Sequence, residues 1–322
     1  MDGTGALPGE TLRIAITLGD PRGIGPEVMP QAVRAILEES SPPSLLLLGP
    51  EGLDPGLTPY LAVGSWDGTE AGAGRITAAA IQKGIQMAEG GSVGALVTGP
   101  SHKPALRAAG WDVPGQTEML QRLTGAPEVG MLMCAEETAL GAPLRVLLAT
   151  THLPLRDLFS HLSPELLVRQ TTLLVGALKR DWRIDAPSVG LCAVNPHAGD
   201  GGLFGNDEEV IYGPALEELR ERGFDVQGPF PADTVFRRAL DGRLDAVVAP
   251  YHDVGMAAFK SVSFGRGVNV TLGLPLIRTS PDHGTAFDIA GSGKADFSSA
   301  MEAVRLAAWL ARNRFDTPPA QG

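Results

Sequence analysis

Three histidines in this chain follow apolar runs in the same way, and their side chains could bind a metal. His152, His197 and His252 come directly after the sequences ATT, AVNP and APY. The carboxyl ends of neighbouring parallel strands meet at one edge of a sheet, so these imidazoles are expected to converge. Three imidazoles with one open position form the ligand set of a catalytic zinc site. The pattern alone equally allows three ordinary loop histidines.

Basic side chains are concentrated in one stretch of an acidic protein. The formal net charge is -11, which argues against general nucleic-acid binding. Within residues 247–291, however, Lys260, Arg266 and Arg278 stand among glycines. Lys260 and Arg278 flank a strand-like run that contains Asn269, and we expect each of them at a strand end. This arrangement predicts a local anion site. Arg266 is open to two interpretations, a ligand contact or a salt bridge.

A glycine-rich turn, GDPRGIGPE, joins the first predicted strand to the first predicted helix. Such turns often bind phosphate through backbone N–H groups, but this one lacks the GxGxxG spacing of a Rossmann site. Phosphate binding and a structural turn both remain open. His102, beside Lys103, is similarly a phosphate contact or a surface residue. His161, just before a helix cap, is expected to be exposed.

Strand and helix signals alternate along the chain, which predicts a largely parallel, doubly wound sheet covered by helices. The loop at 49–73 leaves room for one short strand. The predicted strands are 12–18, 44–48, 93–97, 131–134, 144–149, 188–194 and 246–249, with two more in the runs VNVTL and LPLIR. The predicted helices are 26–38, 76–88, one that stops at Gly110, 163–179, one capped by Asn206 with Glu208 and Glu209 in its first turn, 231–240 and 298–312.

Composition limits the class of protein. A chain of 322 residues with 43% apolar content can bury a large core, and this length is natural for two domains. No apolar run approaches the roughly 20 residues of a membrane span, and MDGTGALPGE has no features of a secretory signal. We therefore expect a soluble cytoplasmic protein. Cys134 and Cys192 lie in apolar runs and are expected to be buried thiols, and the tail TPPAQG is expected to be disordered.

Motifs along nearly the whole chain carry a resemblance to a known family. GDPRGIGPE, TGPSHK, TTHLPLRD, NPHAGDGG, PADTVF, YHD and FGRGVNVTLGLPLIRTSPDHGTA resemble the 4-hydroxythreonine-4-phosphate dehydrogenases of pyridoxal phosphate biosynthesis. GDPRGIGPE and HGTAFDIAG also resemble motifs of the isocitrate and isopropylmalate dehydrogenases. The resemblance implies a two-lobed α/β/α sandwich with its active site in the cleft between the lobes. It places 1–115 and 262–322 in the lobe that binds NAD, and 116–261 in the lobe that holds the metal and the dimer contact.

The same resemblance assigns site residues. It implies a divalent metal on His152, His197 and His252, shared between the subunits of a homodimer. Substrate contacts are implied for Gln116, Thr117, Lys260, Asn269 and Arg278, and NAD contacts for His283, Gly284, Thr285 and Asp288. Gln116 departs from the family, which commonly has histidine there. Glutamine keeps a hydrogen-bond donor but cannot become positively charged, so this position bears on substrate identity.

The implied chemistry explains these residue types. NAD oxidises the β-hydroxyl of 4-phosphooxy-threonine, and the resulting β-keto acid loses CO2 to give 3-amino-2-oxopropyl phosphate. A metal would lower the pKa of the hydroxyl and stabilise the enolate. Neutral imidazole ligands suit zinc, cobalt or nickel better than magnesium. We expect zinc, with cobalt or magnesium as alternatives. Asp233 and Lys260 are candidates for the proton acceptor, although Asp233 is equally interpreted as an acid in the first turn of a helix.

Other functions compete with this one. A related dehydrogenase acting on phosphorylated threonate or erythronate in sugar-acid catabolism shares most of the motifs. A metal-dependent phosphate-ester hydrolase and a non-catalytic phosphometabolite-binding protein would use the same anion site. Formation of NADH separates the dehydrogenases from the last two.

Overall fold

The computed structural model describes residues 13–263 and 265–315, so the predicted disorder of the TPPAQG tail lies outside the described residues. The strands are β1 (Arg13–Thr17), β2 (Ser44–Gly49), β3 (Tyr60–Ala62), β4 (Ala95–Thr98), β5 (Gly130–Ala135), β6 (Leu144–Leu148), β7 (Ser188–Cys192), β8 (Asp225–Phe230), β9 (Ala246–Ala249), β10 (Val268–Leu272) and β11 (Ile277–Pro281). The helices are α1 (Gly25–Leu37), α2 (Glu70–Glu89), α3 (Lys103–Ala108), α4 (Gln116–Thr124), α5 (Pro164–Asp181), α6 (Gly213–Glu221), α7 (Ala232–Leu240), α8 (His252–Ser263) and α9 (Ser298–Phe315).

The chain divides into two compact units. The first comprises Met1–Glu128 and Leu274–Gly322, and the second comprises Val129–Gly273. The boundaries fall at 128 and 273 rather than at the predicted 115 and 261. Helix α4 contacts α2 and therefore belongs to the first unit. Strand β10 pairs with β5 and therefore belongs to the second.

The first unit is built on parallel strands in the order β3-β2-β1-β4-β11. Strand β3 is the short strand for which the loop 49–73 left room. Helices α1 and α9 pack against each other, and α2 packs against α3. The alternation of strand and helix in this part of the chain is confirmed.

The second unit is mixed rather than parallel throughout. Its strands follow the order β10-β5-β6-β9-β7-β8, in which β5 is antiparallel to both of its neighbours and the remaining pairs are parallel. The core beneath β6 and β9 includes Val146, Leu148, Val247, Ala249 and Phe259. Because β5 and β6 are joined by a short connection, they form an antiparallel pair, which strand and helix alternation did not predict.

Local sequence signals explain several helix ends. The side chain of Ser163 accepts a hydrogen bond from the backbone N–H of Leu166, and Pro164 begins α5, as predicted. The prediction that Asn206 caps the next helix is wrong. Asp207 occupies the cap position of a π-helical turn, Glu208–Tyr212, which leads into α6.

Three elements, α4, β8 and α8, were not predicted from the sequence. Strand β8 contains the sequence DVQGPF, in which glycine and proline mask the strand signal. Helix α8 begins at His252. The sequence suggested that His252 lies in a loop after the apolar strand 246–249. Lys260 therefore lies in a helix, and the prediction that it stands at a strand end is wrong.

Both cysteines are buried free thiols, as predicted. Burial raises the pKa of Cys192 to about 12, so this thiol stays protonated at neutral pH. Among the helices that the structure describes, none is both long enough and apolar enough to span a bilayer.

Glycine is required where β1 and α1 meet. A Cβ atom on Gly25 would overlap the backbone carbonyl oxygen of Leu18, whereas a Cβ on Gly176, in the exposed middle of α5, would meet no atom within 4 Å. We expect Gly25→Ala to lower the free energy of unfolding by about 1–3 kcal/mol through overpacking. Gly176→Ala is the matched control and should raise it by about 0.5–1 kcal/mol, because alanine favours a helix interior. Thermal unfolding of both variants checks the pair, and equal melting temperatures would contradict it.

Candidate active site

The three predicted metal-binding histidines lie just after the ends of three adjacent strands of the second unit. Strand β9 is parallel to both β6 and β7, so the carboxyl ends of all three lie at one edge. His152 follows β6, His197 follows β7 and His252 follows β9. The predicted neighbourhood of these strands is confirmed.

Two of the three histidines meet in the folded chain. The ring centroids of His152 and His252 are 5.5 Å apart, with the ring planes inclined by 45°. The Nδ1 atom of His252 lies 3.1 Å from a carboxylate oxygen of Asp253. Among the described residues of this single chain, no group of three or more His, Cys, Asp or Glu side chains is arranged to hold a metal ion. His197 therefore does not complete the pair within one chain.

His197 lies in a segment with unusual backbone geometry. Residues His197 to Gly202 all have positive φ, including the non-glycine residues His197 (52°), Ala198 (57°) and Asp200 (44°). Such residues are strained, and they persist only where their neighbours hold them. The direction in which His197 leaves β7 is thus imposed by its surroundings rather than by local preference.

Three other candidate residues belong to the second unit. The side-chain oxygen of Asn269, on β10, is buried and has no hydrogen-bond partner among the described residues. Such an atom is costly unless a ligand or water supplies a donor, which favours a role for Asn269 in binding. Asp233 is exposed in the first turn of α7, and α7 contacts the segment Pro196–Gly202. Lys260 is exposed on α8.

In the first unit, Arg278 is the centre of a buried polar network. It is the second residue of β11 rather than a strand-end residue as predicted, and it is only 3% exposed. Its Nε and Nη2 atoms donate to the hydroxyl of Thr98, at 3.1 and 2.6 Å, and Nη2 also donates to the side-chain oxygen of Gln116 at 2.7 Å. Burial lowers the pKa of Arg278 to about 10, so the guanidinium is still charged at neutral pH.

Gln116 joins this network from the first residue of α4. Its side-chain oxygen also accepts the hydroxyl hydrogen of Thr98, at 2.7 Å, and its side-chain nitrogen donates to the backbone oxygen of Gly99 at 2.9 Å. Thr117 follows it in the first turn of the helix and is partly exposed. Thr98, at the strand end in the TGPSHK motif, was not among the predicted site residues.

The candidate NAD residues lie on a loop that is hydrogen-bonded to the GDPRGIGPE turn. The backbone N–H of Ile24 donates to the carbonyl of Thr285 at 2.9 Å. The Nε2 atom of His283 is buried without a hydrogen-bond partner among the described residues. Gly284 and Asp288 are exposed, and nothing lies within 4 Å of a Cβ atom placed on Gly284. The loop thus offers an unsatisfied ring nitrogen, open backbone and a carboxylate to a ligand.

The amides of the GDPRGIGPE turn are used within the protein. The N–H groups of Asp20, Gly23 and Ile24 donate to Pro100, Asp20 and Thr285, respectively. A Cβ atom on Gly23 would lie 2.7 Å from the backbone oxygen of Thr285, so this glycine allows close packing. The structure therefore favours the structural interpretation of this turn over phosphate binding.

Arg22 forms a cluster that was not predicted from the sequence. Its guanidinium is paired with Asp20 at 2.9 Å and with Glu70 at 3.0 Å, and it lies 5.1 Å from the ring centroid of Phe287. The Nδ1 atom of His102 is 3.2 Å from the same guanidinium, and its ring packs edge-on against Phe287. His102 is therefore part of the support for the 283–288 loop.

The environments of Arg266 and His161 bear on the predictions made for these two residues. Arg266 forms an ion pair with Glu137, which supports the salt-bridge interpretation. His161 is exposed, as predicted, and its Nδ1 atom is 2.9 Å from the backbone oxygen of Asp157.

Comparison with known sequences gives one family. Residues 56–307 match the family model described as pyridoxal phosphate biosynthetic protein PdxA. The 4-hydroxythreonine-4-phosphate dehydrogenase of Thioalkalivibrio sulfidiphilus is 41% identical over 335 residues, which cover 94% of this chain and 98% of the relative. The D-threonate 4-phosphate dehydrogenase of Cupriavidus necator is 48% identical over 237 residues, which cover 73% of this chain and 68% of the relative.

Solved structures agree with the sequence comparison. The crystal structure of 4-hydroxythreonine-4-phosphate dehydrogenase from Klebsiella pneumoniae has a TM-score of 0.81 at 33% identity, covering 94% of this chain and 100% of that one. A β-decarboxylating dehydrogenase from Thermococcus kodakarensis has a TM-score of 0.54 at 16% identity, covering 93% of this chain and 83% of that one. The second likeness shows the fold alone, and it agrees with the predicted α/β fold.

Proposed function

Because this chain belongs to the PdxA family of pyridoxal phosphate biosynthetic proteins, we propose that it is an NAD-dependent 4-hydroxythreonine-4-phosphate dehydrogenase. A relative with this name matches the chain over nearly its whole length. The observation that carries the proposal is the buried guanidinium of Arg278, held by the neutral oxygens of Thr98 and Gln116. A fixed cation of this kind suits the phosphate or carboxylate of the substrate.

Substrate binding is proposed for five side chains. Arg278 and Lys260 would supply cations, Gln116 and Thr117 would supply hydrogen-bond donors, and Asn269 would supply an amide. A guanidinium binds phosphate or carboxylate through two parallel hydrogen bonds, whereas an ammonium acts as a point charge. The buried, unpartnered oxygen of Asn269 would accept a hydrogen bond from the substrate.

NAD is proposed to bind at the loop that contains His283, Gly284, Thr285 and Asp288. The unsatisfied Nε2 atom of His283 and the open backbone at Gly284 fit a nucleotide. Asp288 would accept hydrogen bonds from the adenosine ribose and would repel the additional phosphate of NADP.

The metal is proposed to be divalent, with cobalt or magnesium as alternatives to zinc. Zinc is preferred because the donors are neutral imidazoles. His152 and His252 of one chain and His197 of a second copy would be its ligands. The 5.5 Å between the two ring centroids fits a pair that shares an ion. When bound, the metal supplies a Lewis acid that polarises the substrate hydroxyl and the ketone formed from it.

Asp233 is proposed to accept the proton of the substrate hydroxyl, with Lys260 as the alternative acceptor. The carbon that bears the hydroxyl transfers a hydride to NAD, which gives NADH and a ketone. The β-keto acid then releases CO2, and a proton is added to the carbon that carried the carboxylate. Asp233 is exposed on a helix that contacts the segment of His197, which supports this choice.

A homodimer is proposed because apolar side chains are exposed beside the histidine segments. Leu155 and Phe159, after His152, are 60% and 52% exposed, and Leu203, after His197, is 73% exposed. Large exposed apolar groups around functional residues are typical of protein interfaces. A second copy of the chain would cover them and bring its own His197 to the paired imidazoles.

The experiment that tests the function measures NADH formation with 4-phosphooxy-threonine and NAD. Steady production of NADH together with CO2 is the expected result. Release of inorganic phosphate without NADH would instead indicate a phosphate-ester hydrolase. Substrate binding without turnover would indicate a binding protein.

D-Threonate 4-phosphate is the second candidate substrate, because the relative that acts on it is 48% identical to this chain over the matched region. The two substrates differ in bearing an amino or a hydroxyl group next to the carboxylate. The side-chain oxygen of Gln116 already accepts two hydrogen bonds, and one N–H of the same amide donates to Gly99. The remaining N–H is a donor, which suits a substrate oxygen better than an ammonium. Comparing kcat/KM for the two substrates decides between them.

Metal removal should abolish turnover. We expect chelation to stop NADH formation and added Zn2+ or Co2+ to restore it, since the ion polarises the reacting oxygen. His152→Ala and His252→Ala should behave like the chelated enzyme, while His161→Ala, an exposed histidine, should retain full activity. Metal analysis and initial rates check this prediction, and full activity of metal-free protein would contradict it.

Arg278→Lys should damage activity although the charge is kept. Lysine cannot reproduce the paired hydrogen bonds, and losing one charge-assisted bond costs roughly 1.5–3 kcal/mol. We therefore expect kcat/KM to fall by about one to two orders of magnitude. Arg266→Lys, at the exposed ion pair with Glu137, is the matched control and should stay within about twofold of the parent.

The measurement combines kinetics with thermal unfolding of both variants. An unchanged kcat/KM for Arg278→Lys would show that the anion does not bind there. A loss of activity fully matched by unfolding would show that Arg278 is structural.

A further inference from the structure

We propose that Glu208 is a positioning residue that fixes the direction in which His197 leaves strand β7. This inference rests on the proposed function, because it treats His197 as a metal ligand. Glu208 lies in the π-helical turn after the histidine segment and is 9% exposed. It would act through the backbone that carries His197, without touching the substrate.

The carboxylate of Glu208 holds the end of β7 at three points. One of its oxygens accepts the backbone N–H groups of Val194 at 3.1 Å and Asn195 at 2.8 Å. The other accepts from the side-chain nitrogen of Asn195 at 3.1 Å. That nitrogen also donates to Asp207 at 2.8 Å. Two residues before His197, the chain is therefore fixed in both backbone and side chain.

The segment after this point needs such support. The three non-glycine residues with positive φ, His197, Ala198 and Asp200, do not favour this conformation. The segment also passes over the carboxylate, because a Cβ atom on Gly199 would lie 3.0 Å from an oxygen of Glu208. Glu208 thus contacts the segment on both sides of His197, at Asn195 and at Gly199.

Tyr212 provides a comparison within the same helical turn. Its hydroxyl donates to the backbone oxygen of Cys192 at 2.9 Å, and the side chain is fully buried. This bond holds β7 before the histidine segment begins. Removing it should weaken the fold without redirecting His197, which separates a structural role from a positioning role.

The experiment uses the full chain and Co2+ as the probe. Metal-free wild type, Glu208→Gln, Tyr212→Phe and His197→Ala are titrated with Co2+, and the thermal unfolding of each metal-free protein is recorded. Glutamine has the shape of glutamate, but its NH2 group cannot accept a hydrogen bond, so at least one of the three contacts is lost.

We expect Glu208→Gln to bind Co2+ about 10- to 100-fold more weakly, the range seen when groups that orient metal ligands are changed. Its melting temperature should fall no more than that of Tyr212→Phe, which should bind Co2+ within about twofold of wild type. Glu208→Asp keeps the charge on a shorter side chain and should bind Co2+ with intermediate affinity. If Glu208→Gln does not fold, the Glu208→Asp titration decides the question.

The outcomes separate the two proposals. If His197→Ala binds Co2+ as tightly as wild type, the proposed metal site is wrong. If His197→Ala weakens binding while the Glu208 variants bind like wild type, only the positioning role is overturned. Equal weakening of Co2+ binding in Glu208→Gln and Tyr212→Phe would also overturn it, because general loosening of β7 would then explain both.

Discussion

The buried charge of Arg278 constrains much of the first unit. A guanidinium removed from water must be stabilised by nearby polar atoms, and here the hydroxyl of Thr98 and the side-chain oxygen of Gln116 do so. These oxygens stabilise the cation without cancelling its charge. Desolvation still lowers the pKa of Arg278 to about 10, which leaves it cationic at neutral pH. The group is therefore held in place and stays cationic.

The parallel sheet supplies the positions that this network needs. Strand β4 lies between β1 and β11, so Thr98 stands beside Thr17 on one side while the strand that carries Arg278 runs along the other. A Cβ atom on Gly99 would lie 2.6 Å from the backbone of Leu18, and only glycine allows the ends of β1 and β4 to approach so closely. Gly99 then offers its carbonyl to Gln116. The glycines of this region thus set the geometry of the polar network by close packing.

Sequence patterns predicted the elements better than the contacts between them. The bounds 246–249 of β9 and the Ser163 cap of α5 follow from local apolar runs and capping chemistry, which act over a few residues. The link between Thr98 and Arg278 joins residues 180 positions apart and depends on strand order, which no local signal contains. Helix α8 was missed because its apolar residues follow a buried strand without a clear capping residue. The adjacency of the three histidine-bearing strands was predictable because parallel strands expose their carboxyl ends at one edge.

Glu208 shows how a local rule can place a residue correctly and still miss what it does. An acidic residue in the first turn of a helix is favoured by the helix dipole, and this rule places Glu208 near the start of α6. Its carboxylate instead turns back to accept the N–H groups at the end of β7, thirteen and fourteen residues earlier in the chain. Like the guanidinium of Arg278, it is a nearly buried charge stabilised by neutral dipoles. In the first unit, the charge held in this way is the guanidinium proposed to bind the substrate. In the second unit, the held carboxylate supports the strained segment that carries His197.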